Sequence, residues 1–150
     1  MLKSFELQAN KKRQQIVLEY DDNLPRVYLD KVKISDVLHN LVSNAIKYSY
    51  YDSVIAVVVT QADKRVKIEV RDQGQGLDHD DIDKLFVKFA KLSAKPTGKE
   101  TSNGLGLSIC KSLVEMHRGK IYAISEGKDR GATFYVDLPL AYEIEAEPEF

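Results

Sequence analysis

The spacing of apolar and polar positions along the chain predicts one long amphipathic helix and a set of short strands. Apolar residues recur three or four positions apart over residues 31–49, which predicts a helix that begins after a capping Asp30. Runs of β-branched residues at 54–60 and 66–72 predict two strands, joined by a slightly long hairpin loop at 61–65. Both strands should be central in the sheet.

The remaining segments complete an α+β pattern. A polar lead-in precedes a strand at 16–20; a short helix at 78–86 precedes a polar stretch predicted to be a mobile loop, and a helix at 104–117 precedes two last strands, near 119–125 and 132–138. Strands that follow strands, with helices free to cover one face, predict a two-layer α/β sandwich rather than a doubly wound parallel sheet. We expect one domain over residues 1–140 and a disordered acidic tail at 141–150.

Composition narrows the function classes. Twenty-two basic and 23 acidic residues give a net charge of -1, so no overall field favours nucleic acid or anionic lipid. The one cysteine, Cys110, has no partner for an internal disulfide, and no apolar run approaches the ~20 residues of a membrane span. We therefore expect a cytoplasmic domain without nucleic-acid or membrane contact, from a parent protein that a membrane could still anchor.

A polar stripe follows one flank of the long helix. Asn40, Asn44, Lys47 and Tyr48 lie at positions i, i+4, i+7 and i+8, beside the apolar face. An amide oxygen suits Mg²⁺, and a nearby lysine offers a mobile positive charge for phosphates. Taken alone, the stripe fits a solvated helix flank equally well.

Two glycine-rich segments follow the stripe. Residues 72–77 (DQGQGL) end a predicted strand, where a carboxylate can accept from an exocyclic amine and glycines allow close approach of a flat ligand. Residues 103–108 (NGLGLS) open a helix whose free N–H groups can face phosphate. Neither segment fits a dinucleotide-binding or P-loop motif. Alone, the first segment also fits a glycine-rich exit from a strand, and the second fits a helix that starts with glycine. Lys91, Lys95 and Lys99, between the two segments, could close over phosphates, although lysines in a polar loop are more often solvated.

Together, these segments resemble a known family. Residues 36–49 are similar to the asparagine box of sensor histidine kinases, and the two glycine segments follow in that family's order. Residues 85–89 resemble its phenylalanine box, and Gly127 with residues 131–134 resembles its last glycine-and-threonine segment. The resemblance covers about residues 7–139. It implies a mixed, mostly antiparallel five-stranded sheet covered on one face by three helices, the ATP-binding fold shared with gyrase, Hsp90 and MutL.

The resemblance also implies roles for single residues. Asn44 would hold Mg²⁺ and share the catalytic role with Lys47, Asp72 would read the adenine amine, and Thr133 would support Asp72. Phe86 and Phe89 would anchor the loop at 87–103, the lid of the site. Two departures, Lys88 in place of a frequent proline and Ser102-Asn103 in place of a frequent glycine, put the lid conformation in doubt. The implied nucleotide-binding residues are Asn40, Asn44, Lys47, Tyr48, Asp72, Gly74, Gly76, Leu77, Phe89, Lys91, Gly104, Leu105, Gly106, Leu107 and Thr133.

The implied activity is transfer of the γ-phosphate of Mg-ATP to a histidine on a separate dimerisation segment, and then to a response regulator. None of His39, His79 and His117 lies in an acceptor-like segment, so we expect none of them to be phosphorylated. Because the family dimerises through that separate segment, we also expect this chain to be a monomer. Serine kinases and ATP hydrolases of the same fold often carry a general-base Glu where this chain has Asn40, and an amide cannot take that proton. A non-catalytic docking domain is the third alternative.

Overall fold

The computed structural model describes residues 2–90, 92, 95–98 and 106–140. These residues form a short 3-10 turn, Leu2–Phe5, followed by four α-helices and five strands. The elements, in chain order, are α1 Glu6–Lys11, β1 Gln15–Tyr20, α2 Lys31–Tyr48, β2 Val54–Ala62, β3 Arg65–Arg71, α3 His79–Lys84, α4 Gly106–Met116, β4 Lys120–Ile124 and β5 Thr133–Pro139. Lys91, Lys99, Gly104, Leu105 and the predicted tail at 141–150 lie outside the described residues.

The five strands form one mixed sheet in the order β1-β2-β3-β5-β4. β1 runs parallel to β2, and the β2–β3, β3–β5 and β5–β4 pairs are antiparallel. The helices cover one face of this sheet, so the predicted two-layer α+β sandwich is confirmed. Both β2 and β3 are central, as their β-branched runs indicated.

Helix α2 is the main helical element of the core. The Asp30 side chain accepts from the Lys33 backbone N–H at 3.0 Å, which confirms the predicted cap. Its apolar stripe, including the fully buried Val37 and Val42, packs with inward-facing residues of the sheet such as Val70 and Val136. Within the described ranges, no helix is both long and apolar enough to span a membrane.

Two local predictions differ from the structure. The lead-in was expected to be polar, but Phe5, at the end of the 3-10 turn, is 1% exposed and belongs to the core. The segment after it forms α1, a helix beyond the three that were expected. The hairpin loop is shorter than predicted, because Ala62 pairs directly with Arg65. Asp63 takes a positive φ of 54° to make this tight turn, and aspartate tolerates that conformation better than most residues.

Candidate functional site

Two adjoining cavities lie between α2, the start of α4 and the glycine turn after β3. Apart from Asp72 and Asn44, the walls of the first are mainly apolar. The second has a polar side. The cavities share part of their walls, so they form one two-part cleft; the shared residues are Asn44, Tyr48, Leu85, Leu92 and Leu107.

Asp72 is the acidic group of the apolar cavity. Its Oδ1 accepts from the backbone N–H of Ala132 at 3.0 Å and of Gly74 at 3.1 Å. Burial raises the pKa of Asp72 to about 6, although these two N–H donors act in the opposite direction. Its Oδ2 has no hydrogen-bond partner among the described residues, so it is available to a donor in the cavity.

The two glycines after Asp72 allow the backbone to pack closely around this cavity. A Cβ on Gly74 would collide with the carbonyl of Tyr48, at the point where Gly74 pairs with Ser49. Gly76 has a φ of +69°, and a Cβ there would collide with the Gly127 carbonyl. Glycine is therefore required at both positions for the turn to keep this shape.

The polar cavity collects three side chains of α2 on one flank. Asn40, Asn44 and Lys47 all line it, as the helical spacing predicted. The side chains of Asn44 and Lys47 have no hydrogen bond or ion pair within the described part of the chain. A half-buried amide and a half-buried ammonium that lack partners among these residues suit an anionic ligand and its cation.

Helix α4 begins at this cavity. Gly106, its first residue, lies so close to α2 that a Cβ would come within 2.8 Å of Asn40 Oδ1. The next residue, Leu107, lines both cavities. The N-terminal end of α4 is therefore at the polar end of the cleft.

Known proteins share this arrangement. Residues 29–142 match the family described as histidine kinase-, DNA gyrase B-, and HSP90-like ATPases. The chain belongs to this ATPase family. Two curated relatives are sensor kinases: WalK of Bacillus subtilis is 37% identical over 135 residues, and the alginate biosynthesis sensor protein KinB of Pseudomonas aeruginosa is 34% identical over 129. The matches cover 85% and 86% of this chain but only 22% and 21% of those proteins.

Solved structures agree with the sequence matches. The catalytic domain of histidine kinase ThkA is 30% identical, with a TM-score of 0.79, and the match covers 94% of this chain and 88% of that one. ThkA in complex with the response regulator TrrA matches with 28% identity and a TM-score of 0.75, over 94% of this chain and 38% of that one. The resemblance to sensor histidine kinase catalytic domains is thus confirmed, and the chain spans about a fifth of the length of the two curated sensor kinases.

The structure brings most of the predicted nucleotide-binding residues to the cleft, but Thr133 and Phe89 lie elsewhere, and Gly74 packs behind Tyr48 without lining either cavity. Thr133 lies between Ala132 and Phe134, which both line the apolar cavity, so strand alternation directs its side chain to the opposite sheet face. The Asp72 carboxylate is held by the Ala132 backbone and not by the Thr133 hydroxyl. Phe89 is 69% exposed and lines neither cavity. Lys91, Gly104 and Leu105 lie outside the described residues.

Several lining residues were not predicted from the sequence. Leu85 and Leu92 line both cavities, and Ala132 and Phe134 line the apolar one. Leu85 and Phe134 lie within segments that resemble family motifs, so the signal was present but did not show which side chains point inward. Leu92 lies in a polar stretch, where its isolated apolar side chain was the only indication.

Proposed function

We propose that the chain binds Mg-ATP and donates the γ-phosphate to a histidine on a dimerisation segment of a longer two-component sensor kinase. The observation that carries this proposal is the two-part cleft. The buried carboxylate of Asp72 lies at its apolar end, whereas the side chains of Asn40, Asn44 and Lys47 line its polar end. Membership of the ATPase family supports ATP as the ligand.

The apolar end fits adenine. Its walls are mainly apolar, and the free Oδ2 of Asp72 can accept a hydrogen bond from the exocyclic amine. Gly76 and Leu77 form the turn at one wall, and Tyr48 lies between this end and the polar end. A guanine base presents an oxygen at the corresponding position, which the carboxylate would repel.

The polar end fits a triphosphate with its metal ion. Asn44 offers a neutral amide oxygen, the kind of ligand that Mg²⁺ accepts beside phosphate oxygens and water. When bound, Mg²⁺ would neutralise charge on the phosphates. Asn40, Lys47 and the first turn of α4, from Gly106, would hold the phosphates and orient the terminal one.

Phosphoryl transfer requires mainly alignment and charge stabilisation, so this domain needs no nucleophile of its own. The three histidines of the chain have other environments, and His79, the exposed first residue of α3, lines neither cavity. Both ring nitrogens of His117 are engaged, because Nε2 accepts from Asp30 N at 2.9 Å and Nδ1 lies 2.8 Å from the Leu113 carbonyl. The His39 ring packs on Phe5, with the centroids 4.6 Å apart. A histidine supplied by another segment is therefore the proposed acceptor.

We further propose that the histidine-bearing segment passes the phosphate to a response regulator. The ATP-binding domain itself would work in the cytoplasm, where ATP is available, and would be a monomer in isolation. The structure of ThkA with a response regulator supports such a partner. Asn40 disfavours the serine-kinase alternative, because its amide cannot act as a general base. A docking domain would not need the free Asp72 oxygen and the unpaired Lys47 in one cleft.

Phosphotransfer from radiolabelled ATP tests the proposal. The chain alone should bind ATP without becoming labelled, and a histidine-bearing dimerisation segment from a sensor kinase such as WalK should become labelled when it is added. The label should be acid-labile, as phosphohistidine is, and should be lost with Asn44→Ala. Acid-stable label on serine would favour the serine kinase, and absence of ATP binding would favour the docking domain.

A further inference from the structure

A short strap, residues 95–98, crosses the rim of the cleft. It connects the glycine turn after β3 with the C-terminal end of α2 through side-chain and backbone hydrogen bonds. The strap has no helical or strand structure of its own. Its position therefore depends on the residues that hold its two ends.

Gln75 holds the first end. Its Oε1 accepts from the Lys95 backbone N–H at 2.9 Å, and its Nε2 donates to the Lys95 carbonyl. A primary amide can satisfy a backbone N–H and C=O at once, much as a neighbouring strand does. The backbone of Gln75 is fixed separately, because its N–H donates to Tyr48 O and its carbonyl accepts from Asp129 N. Replacing the side chain should therefore release the strap and leave the turn intact.

Thr97 holds the second end. Its backbone N–H donates to the Lys47 carbonyl at 2.8 Å, and its hydroxyl lies 3.1 Å from the same carbonyl and 2.7 Å from the Ser49 carbonyl. These are carbonyls at the last turn of α2, which have no partner within the helix. The hydroxyl thus caps the helix end whose Lys47 side chain lines the polar cavity.

The strap joins two walls of the same cleft. Gln75 lies between Gly74 and Gly76 of the glycine turn, whereas Thr97 contacts the end of α2. Leu92, three residues before the strap, lines both cavities. We infer that Gln75 and Thr97 are positioning residues, which dock the strap on the rim and thereby hold the cleft in its nucleotide-binding shape. This inference rests on the proposed ATP site.

Amide hydrogen exchange of the nucleotide-free protein tests whether the strap is docked. Lys95 is exposed, and its backbone N–H is protected by the hydrogen bond to Gln75 Oε1. Gln75→Ala removes this bond and should speed exchange of the Lys95 amide about three- to tenfold. Gln75→Glu keeps the acceptor but sets an oxygen against the Lys95 carbonyl in place of the Nε2 donor, so it should not restore this protection. Gln8→Ala, an exposed glutamine on α1, is the control and should leave the Lys95 amide unchanged. Equal Lys95 exchange in wild type and Gln75→Ala would overturn the inference.

Titration with a non-hydrolysable ATP analogue and Mg²⁺ tests whether docking matters for binding. Gln75→Ala and Thr97→Val should each weaken affinity about three- to tenfold, while the exchange of core amides such as Val70 stays unchanged. Faster Lys95 exchange with undiminished affinity would overturn the positioning role. If wild type binds no analogue, the proposed function fails instead, and the Lys95 exchange still decides whether Gln75 docks the strap.

Discussion

The carboxylate of Asp72 and the backbone N–H of Ala132 form a hydrogen bond of 3.0 Å between the end of β3 and the residue before β5. A second bond runs between the same residues, because Asp72 N donates to the Ala132 carbonyl at 2.9 Å. The sheet itself thus orients the carboxylate: Oδ1 is held by the backbone and Oδ2 is left for a ligand. This pair connects the fold to the base recognition that we propose.

Asp72→Asn should separate the ligand role of this residue from its structural role. An asparagine oxygen can still accept from Ala132 and Gly74, but the amide nitrogen would then oppose the adenine amine. Loss of a charge-assisted hydrogen bond should weaken binding of an ATP analogue about 10- to 100-fold. Calorimetry measures this change. Asp83→Asn, which removes an exposed carboxylate on α3, should bind like wild type, and equal losses in both variants would contradict the assignment.

The raised pKa of Asp72 predicts opposite effects of acid on binding and on stability. Because the pKa is about 6, lowering the pH from neutral to below about 6 should protonate the carboxylate and weaken binding of the analogue. The folded pKa lies above the ordinary 3.8, so the folded state holds more protons between these values. The contribution of Asp72 to the free energy of unfolding should therefore rise as the pH falls through about 6.

Asp72→Asn provides the control for both pH effects. The nucleotide phosphates titrate near about pH 6 as well, so only the difference between wild type and variant reports on Asp72. Binding and denaturant titrations over this pH range measure the two differences. Identical pH profiles in the two proteins would contradict the raised pKa.

Gly106→Ala should weaken nucleotide binding without weakening the fold. The new Cβ would meet Asn40 Oδ1 at 2.8 Å, so the amide must move away from the polar cavity. Gly106 is the first residue of α4 and the contact is with the end of a side chain, so thermal stability should change little. Ser112→Ala, on the exposed side of α4, should raise helix propensity without changing affinity. A Gly106→Ala protein with wild-type affinity would contradict the contact.

Lys12→Met should lower stability because Lys12 is a buried cap on α2. Its ammonium donates to the carbonyls of Ile46 at 2.7 Å and Lys47 at 3.2 Å, and the residue is only 4% exposed. A cation at a helix C-terminus is favourable, and because the Ile46 carbonyl keeps Gln14 and the Lys47 carbonyl keeps Thr97 as donors, loss of the ammonium should cost about 1–2 kcal/mol. Chemical denaturation measures the change. The neighbouring exposed Lys11→Met is the matched control, and equal stability of the two variants would be evidence against the cap.

The sequence predicted the elements whose signals are local. The apolar spacing and Asp30 located α2, and the helical period alone placed Asn40, Asn44 and Lys47 on one flank. Asp72 was found in the same way, because a carboxylate and two glycines after a strand form a local pattern. For these residues the chain needs only its own periodicity to orient the side chains.

The other features of the site depend on strand register and on contacts between segments that are distant in the sequence. Thr133 was expected to support Asp72. Neighbouring residues of a strand point to opposite faces of the sheet, and it is Ala132 that lines the cavity and donates its backbone N–H to Asp72. Phe89 was expected at the site, but its positive φ of 60° accompanies an exposed ring. The bond between Gln75 and Lys95 joins two irregular segments, for which no periodicity exists to predict a partner.

The cleft is proposed to be a magnesium-dependent ATP site that includes Asn44. Calorimetric titration of a non-hydrolysable ATP analogue, with and without Mg²⁺, into wild type and Asn44→Ala tests it most directly. We predict that Mg²⁺ raises the affinity of wild type for the analogue. Asn44→Ala should lose most of this increase in affinity and retain its thermal stability. Absence of binding heat in wild type, or an equal magnesium effect in both proteins, would contradict it.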